Sequence, residues 1–209
     1  MKRSVVVGIL GGVASGKSEV TRRLEARGAH VIHADTIGHE VLREPDIRDR
    51  LIQHFGNEIL SKETGEIDRV RVAQLVFGNA PPATENRRVL ESIVHPRIRA
   101  RIAERLESIQ QSISPNEPPK IVVLDVPLLI ESGWNKRCDR ILFVDTAEEL
   151  RLARAIARGW TSNQFRDREA AQLPIEQKRR SATDVIDNNG SIGSLDQQID
   201  KLIMSLTNL

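Results

Sequence analysis

Aromatic side chains are scarce in this sequence. Its 209 residues include two Trp, four Phe and no Tyr, 3% in all. The core must therefore be aliphatic, and a protein that grips single-stranded nucleic acid by stacking bases on rings is disfavoured. Cysteine is nearly absent. Cys138 stands alone, which excludes an internal disulfide framework and a cysteine-based zinc site. It reads as a free thiol in a reducing cytosol. An excess of one charge sign is missing too: 31 Lys and Arg against 29 Asp and Glu leave +2, and charge alone makes no case for a nucleic-acid partner. No apolar run reaches the ~20 residues of a membrane-spanning helix. The nearest, Ile121 to Ile130, is interrupted by Asp125 and Pro127. Repeats and low-complexity segments are also lacking. With 39% hydrophobic and 29% charged residues, the composition is globular, and one domain with inserted lobes is expected.

What is present is an alternation of strand and helix patterns. Val5 to Leu10 is a continuous apolar run rich in β-branched residues, the mark of a strand buried on both faces. A Gly-rich turn follows, then a helix from Ser18 to Arg27 that stops at Gly28. His30 to His33 reads as a second strand. From Thr36 to about Ile113 the pattern is helical, with a loop over Gly78 to Pro82, a cap at Asp68 and a long helix from Thr84 that Pro96 should kink or break. Ser114 to Pro119 is a linker. Lys120 to Val126 and Arg140 to Asp145 are strands. Thr146-Ala147-Glu148-Glu149 reads as a capping box opening an Arg-rich helical stretch to about 181, broken at Gly159 and Pro174. Asp184 to Ile186 is a last short strand, and Ser194 with Gln197 caps a C-terminal helix. The fold class is α/β, a parallel sheet flanked by helices.

Gly11-Gly12-Val13-Ala14-Ser15-Gly16-Lys17-Ser18 matches the P-loop pattern G-x-x-x-x-G-K-[ST]. Its glycines let the backbone turn its N–H groups on phosphate oxygens, and the following helix adds its positive end. Lys17 can reach the β- and γ-phosphates, and Ser18 can ligate Mg²⁺. Met1-Lys2-Arg3 and the apolar stretch after it imitate a signal peptide, but the supposed cleavage region is this loop. A nucleotide switch protein should carry N-K-x-D and D-x-x-G. Asn135-Lys136-Arg137-Cys138 has Cys where Asp is needed, and Asp125 is followed by Val126-Pro127-Leu128. The arginines of 151 to 180 favour a kinase, since phosphoryl transfer needs positive charge around the moving group. Asp125, ending a strand near the loop, can hold Mg²⁺ or merely cap the turn before Pro127. Asp35, just past the second strand, can act on an attacking hydroxyl or serve as a helix N-cap.

Several segments together resemble the dephospho-CoA kinase family. The start is similar to its G-G-x-G-S-G-K-S loop, His33-Ala34-Asp35 to D-A-D with His39 following, and His95-Pro96-Arg97-Ile98 to H-P-x-I. Leu124 to Gly133 resembles L-D-x-P-L-L-x-E-x-G. Gln172, Pro174 and Glu176 to Arg180 resemble Q-x-P-x-x-x-K, and Asp184 to Gly190 the A-D-x-V-I-D-N-x-G ending. There are departures. His33 replaces the first Asp of D-A-D and bears on substrate positioning. Ala14 replaces a loop glycine and fits if its φ is negative. Glu19 stands where Thr often follows the loop Ser, and Thr183 replaces an Ala.

The resemblance implies transfer of the ATP γ-phosphate to the ribose 3′-hydroxyl of dephospho-CoA, with Mg²⁺. The alternatives are another P-loop kinase of a small molecule or nucleoside, or a nucleotide-dependent switch. It also implies a core (1–40, 119–145, 183–209), a helical substrate lobe (41–118) and a lid (146–182). The expected catalytic residues are Lys17, Asp35 and Arg158. ATP is expected on Gly12, Val13, Ala14, Ser15, Gly16, Lys17, Ser18, Glu19 and Asn188. The acceptor is expected on Asp35, His39, His95, Arg97, Asp125 and Leu128, and Mg²⁺ on Ser18 and Asp125. Arg158 and Arg168 are expected as lid contacts to phosphate, against the plainer reading of a solvated helix face. ATP and dephospho-CoA are the expected partners of a monomer or weak homo-oligomer in the cytoplasm, with no nucleic acid and no membrane.

Overall fold

A computed structural model describes residues 4–77, 81–113 and 119–207. Five parallel strands form one sheet in the order β2-β3-β1-β4-β5: β1 Val5–Gly11, β2 His30–His33, β3 Ile121–Asp125, β4 Arg140–Asp145 and β5 Asp184–Asp187. β1 is the middle strand and is buried along its whole length. The chain builds one side of β1 with β2 and β3, then crosses to the other with β4 and β5. That reversal leaves a crevice at the carboxyl end of β1, where ligands bind in open α/β sheets.

The chain divides into two compact units, Met1–His33 with Leu106–Leu209, and Ala34–Arg105. In the first, β-periodicity sorts the core. Val5, Val7 and Ile9 join Val123, Leu142, Val144 and Ile186 on one face. Against them lie Val20 and Leu24 of α1 (Lys17–Glu25) and Leu195, Ile199, Leu202 and Leu206 of α9 (Ile192–Thr207). Arg23 of α1 and Arg27, two residues past its end, pair with Asp196 and Asp200 of α9 at 2.5–2.8 Å. The opposite face carries α8 (Ile175–Arg180), packed on β1. A smaller cluster joins Val13 of the Gly-rich turn to Ala155 of α6 (Glu148–Ala157) and Phe165 of α7 (Ser162–Ala170).

The second unit is helical: α2 Ala34–Val41, α3 Pro45–Phe55, α4 Arg69–Val76 and α5 Pro81–Gln111, which runs on past its boundary. Ile37, Val41, Ile47, Leu51, Ile59 and Ile102 are fully buried. Glu44 receives Arg97 at 2.5 Å and Arg101 at 2.7 Å, and the Arg97 hydrogen bond holds its carboxyl below the usual range. Asp68 caps α4, as the sequence suggests. Among the described residues no helix is long and apolar enough to cross a membrane.

Several expectations are corrected. α5 begins at Pro81, not Thr84, because proline's missing N–H costs nothing in a first turn. Pro96 does not break it; buried Ile93, Val94 and Ile102 hold the helix on both sides. Thr146 does not cap α6. Its hydroxyl goes to the Ser15 carbonyl, and the N-cap is Ala147 without a side-chain bond. The capping box of this region is Thr161 with Gln164, opening α7. α9 starts three residues earlier than expected, with Ser191 Oγ accepting from the Ser194 amide. Residues 1–3, 78–80 and 114–118, which carry the imitated signal peptide's basic start and parts of the expected loop and linker, lie outside the described residues.

Cys138 is a free, half-buried thiol whose pKa is pushed up to about 11, mainly by burial. It packs on Gly8. A Cβ on Gly8 would lie 2.6 Å from Leu129 Cδ2 and 2.7 Å from Cys138 Sγ. Because Leu129 is buried, Gly8→Ala must displace core atoms. Overpacking costs about 1–3 kcal/mol, so denaturant unfolding of Gly8→Ala should show that loss. Unchanged stability would mean the contact relaxes freely.

Candidate active site

The turn after β1 is where the sequence is least free. Gly16 is the N-cap of α1 at φ 93°, and a Cβ there would lie 2.4 Å from Asn188 Nδ2. A Cβ on Gly12 would meet Arg151 Nη1 at 2.7 Å and Ile175 Cδ1 at 3.0 Å. Glycine is therefore required twice, once for conformation and once for close approach. Ala14 takes φ 57°, which corrects the expectation of a negative φ. Its methyl packs beside Val13 and Phe165.

One carbonyl of the turn gathers three donors, beside the weaker bonds to Gly12 O and Val13 O. Ser15 O accepts from Thr146 Oγ1 at 2.8 Å, Asn188 Nδ2 at 2.8 Å and Arg154 Nη1 at 3.0 Å. The Arg154 Nη2 continues to the Asn188 carbonyl at 3.2 Å. Arg151 is buried below the turn. It donates to Thr146 O, is ion-paired with Glu169 and lies over the Phe165 ring. With its carbonyl tied behind, the turn leaves the Lys17 and Ser18 amides at the start of α1 without helical acceptors, while the Glu19 amide bonds the Gly16 carbonyl at 3.0 Å; such free first-turn amides suit an anion.

Lys17 lies in this concavity. Burial pushes its pKa down, Arg151, Arg158 and Lys178 push it down further, and the Asp125 carboxylate alone pulls it up. Arg151 is paired with Glu169, and Asp125 offsets part of the charge, yet cations still outweigh carboxylates around Lys17, a setting that a polyphosphate would stabilise. Asp125 ends β3, is the register partner of His33 at the end of β2, and accepts from His33 Nδ1 at 3.1 Å. Lys178 is buried, donates to Gln172 Oε1 at 2.5 Å, and has its pKa lowered chiefly by burial. Ser18 is exposed and makes no side-chain hydrogen bond among the described residues. Glu131 accepts from the Leu173 amide at 3.0 Å.

The expected residues Gly12 to Ser18, Asp125, Arg158 and Asn188 thus belong to one unit, and the charges of Asp125 and Arg158 are felt at Lys17. Glu19 turns its carboxylate to Arg22 and Arg23 at 2.7 and 2.6 Å. Arg168 lies 4.3 Å over the Trp160 ring. Leu128 is exposed at φ 54°. Asp35, His39, His95 and Arg97 belong to the helical unit. Asp35 is in the first turn of α2, His39 bonds Arg69 at 2.5 Å, His95 is exposed, and Arg97 is taken by Glu44 and Glu104. Sequence reasoning missed Thr146, Arg151, Arg154 and Lys178. The arginines carry no local mark separating a buried strut from a solvated face. Lys178 had a signal, its place in the Q-x-P-x-x-x-K match.

A parallel sheet with a G-x-x-x-x-G-K-S loop at the end of its central strand defines the class of P-loop proteins. A family model described as dephospho-CoA kinase matches residues 5–194. A dephospho-CoA kinase of Symbiobacterium thermophilum is 38% identical over 197 residues, covering 93% of this chain and 78% of its own. One from Arabidopsis thaliana is 36% identical over 203 residues, covering 96% and 83%. Among solved structures, a Thermus thermophilus protein superposes with a TM-score of 0.75 at 32% identity, over 99% of this chain and 100% of its own. The Campylobacter jejuni dephospho-CoA kinase gives 0.68 at 26% identity over 99% of each. The chain belongs to the dephospho-CoA kinase family, ATP-dependent kinases that catalyse the final step of coenzyme A synthesis.

The positive φ of Ala14 generates a prediction. A left-handed backbone costs an L-residue roughly 1–2 kcal/mol, while a glycine loses about 0.4–1 kcal/mol through unfolded-state entropy. Ala14→Gly should therefore stabilise by about 0.5 kcal/mol, raising the melting temperature by ~1–2 °C for a chain of this size. A lower melting temperature would mean that the Ala14 methyl contributes more by packing than it costs in strain.

Proposed function

We propose that this chain transfers the ATP γ-phosphate to the ribose 3′-hydroxyl of dephospho-CoA, giving coenzyme A and ADP, and that its residues divide the work as follows. The observation that carries the reading is the half-buried Lys17 at the start of α1, which donates to the Gly12 carbonyl at 3.4 Å and feels the charges of Asp125, Lys178, Arg151 and Arg158. The amides of Gly12 to Ser18 cradle the phosphates, Lys17 neutralises the β- and γ-oxygens, and Arg158 acts where charge spreads in the transition state. Asn188, whose side-chain NH₂ is already spent on Ser15, meets the adenine by its remaining groups. Glu19, whose amide bonds the Gly16 carbonyl and whose carboxylate is held by Arg22 and Arg23, serves ATP only by keeping the first turn of α1 in place. Arg168 reaches phosphate only by leaving Trp160.

The donors fit Mg²⁺ as kinases use it. This ion prefers oxygen ligands and is held by one or two protein groups plus substrate phosphates. Ser18 offers an unengaged hydroxyl and Asp125 a carboxylate whose charge reaches Lys17. Among the described residues no cluster of three His, Cys, Asp or Glu offers an alternative cage. When bound, the ion supplies charge neutralisation on the phosphate oxygens. On the acceptor side, Asp35 orients the 3′-hydroxyl and takes its proton. It stands two residues beyond the end of β2, the strand neighbouring β3. His39, His95, Arg97, Asp125 and Leu128 bind the acceptor. Arg97 exchanges a carboxylate of Glu44 or Glu104 for a substrate phosphate. The segment 41–118 serves as the acceptor lobe and 146–182 as the lid. The free thiol of Cys138 suits a reducing cytoplasm, and a monomer or weak homo-oligomer suffices for this work.

An ADP-release assay with dephospho-CoA, adenosine, AMP and gluconate tests the reading. Dephospho-CoA alone should turn over well; equal turnover of another acceptor would overturn it. Asp35→Asn keeps shape and one acceptor but loses the base. General bases contribute ~10²–10⁴-fold, and loose phosphoryl transition states lean less on them, so kcat should fall by about 10²–10³ with ATP affinity unmoved. Wild-type turnover would reduce Asp35 to a charge favourable in a helix first turn.

A further inference from the structure

The geometry points to His33 as a positioning residue that holds Asp125 in its working orientation, a role that this chain's departure from D-A-D makes possible. The inference rests on the reading of Asp125 as a ligand of nucleotide-bound Mg²⁺. β2 and β3 pair in parallel and end together, with His33 opposite Asp125. In such a pair the two side chains leave the sheet on the same face, and here His33 Nδ1 stands 3.1 Å from Asp125 Oδ2. A carboxylate offers only lone pairs, so this contact assigns the proton to Nδ1. An ionised aspartate at 33, as in D-A-D, has no proton to give. This chain therefore replaces a like charge beside Asp125 with a hydrogen-bond donor.

Asp125 has two claims on it. The Lys17 ammonium attracts it as the one carboxylate that raises the Lys17 pKa. A free Asp125 would close that ion pair and take Lys17 away from phosphate. With Oδ2 held by His33, the carboxylate keeps a fixed distance from Lys17 and leaves Oδ1 for the ion or its water. Hydrogen-bonded partners of metal ligands act in this way, and losing them typically costs ~10–100-fold in metal affinity. Asp125 is only partly buried, its side chain 24% exposed against 42% for His33, so the orientation is not set by packing alone.

Calorimetry of ADP binding across a Mg²⁺ titration tests this without turnover. His33→Ala should raise the half-saturating Mg²⁺ about 10-fold or more. His33→Asn, whose side-chain amide can still donate, should stay within about 3-fold of wild type. In an Asp125→Ala background, His33→Ala should change nothing further, because a residue acting through another has no effect once that other is gone. Long-range ¹H–¹⁵N spectra of wild-type protein should show the His33 proton on Nδ1. Four results would each overturn the inference: an unchanged midpoint in His33→Ala, an equal loss in both backgrounds, a proton on Nε2, or an Asp125→Ala titration matching wild type. A wild-type protein that meets every binding and tautomer expectation yet fails to phosphorylate dephospho-CoA would sink the activity reading and leave the role of His33 intact.

Discussion

The backbone carbonyl of Ser15 is the point on which the phosphate-binding turn depends. A carbonyl has two lone pairs, and three donors from α6, the end of β4 and the end of β5 converge on this one. The three come from segments far along the chain, so the turn's shape is set by the completed sheet and not by local sequence. Fixing the oxygen behind fixes the peptide planes, and with them the N–H groups in front. Such donors need not reorganise when charge arrives, which is the source of their electrostatic value. The same constraint explains why Gly16 admits no side chain, since Asn188 occupies the space, while Gly12 is closed separately by Arg151 and Ile175.

Electrostatics complete the site at a cost in stability. Lys17 and Lys178 are both pushed towards neutrality by burial, and Lys17 also by neighbouring cations. Work of this kind is returned when an anion binds, because phosphate replaces lost water and compensates the repulsion. Arg151 is ion-paired with Glu169 and lies over the Phe165 ring. The turn thus has beside it one cation held in an ion pair, Arg151, and two lysines without one among the described residues. Asp125 sits between the roles, close enough to Lys17 to moderate its charge and bonded to His33 away from it.

The strands were legible because burial on both faces demands unbroken apolar runs such as Val5 to Leu10 and Ile121 to Leu124. The phosphate turn was legible because few residue types meet its backbone demands. Errors fell where two local rules compete. Thr146 and Thr161 both precede an acid or amide by three residues, but only Thr161 is left free to cap, since tertiary structure claims the Thr146 hydroxyl. Pro96 sits in a helix interior where propensity forbids it, and burial on both sides overrides propensity. Ala14 could not be read for φ, since alanine normally avoids the left-handed region. Among the candidate arginines, sequence put Arg158 ahead of Arg168 but gave no sign that Arg151 and Arg154 would tie down the turn. Arg151 lies in α6 and Arg158 caps its C-terminal end, and only folding buries the first and exposes the second.

If the Ser15 carbonyl does preset the turn, removing donors that never touch nucleotide must weaken nucleotide binding. Thr146→Val with Arg154→Met deletes two of the three while keeping bulk. Each lost bond is worth roughly 0.5–3 kcal/mol to the ordered state, and part of that falls on the turn. ADP affinity of the folded double variant, measured by titration calorimetry, should drop about 10-fold. A double variant that folds and binds ADP as tightly as the wild type would contradict the account.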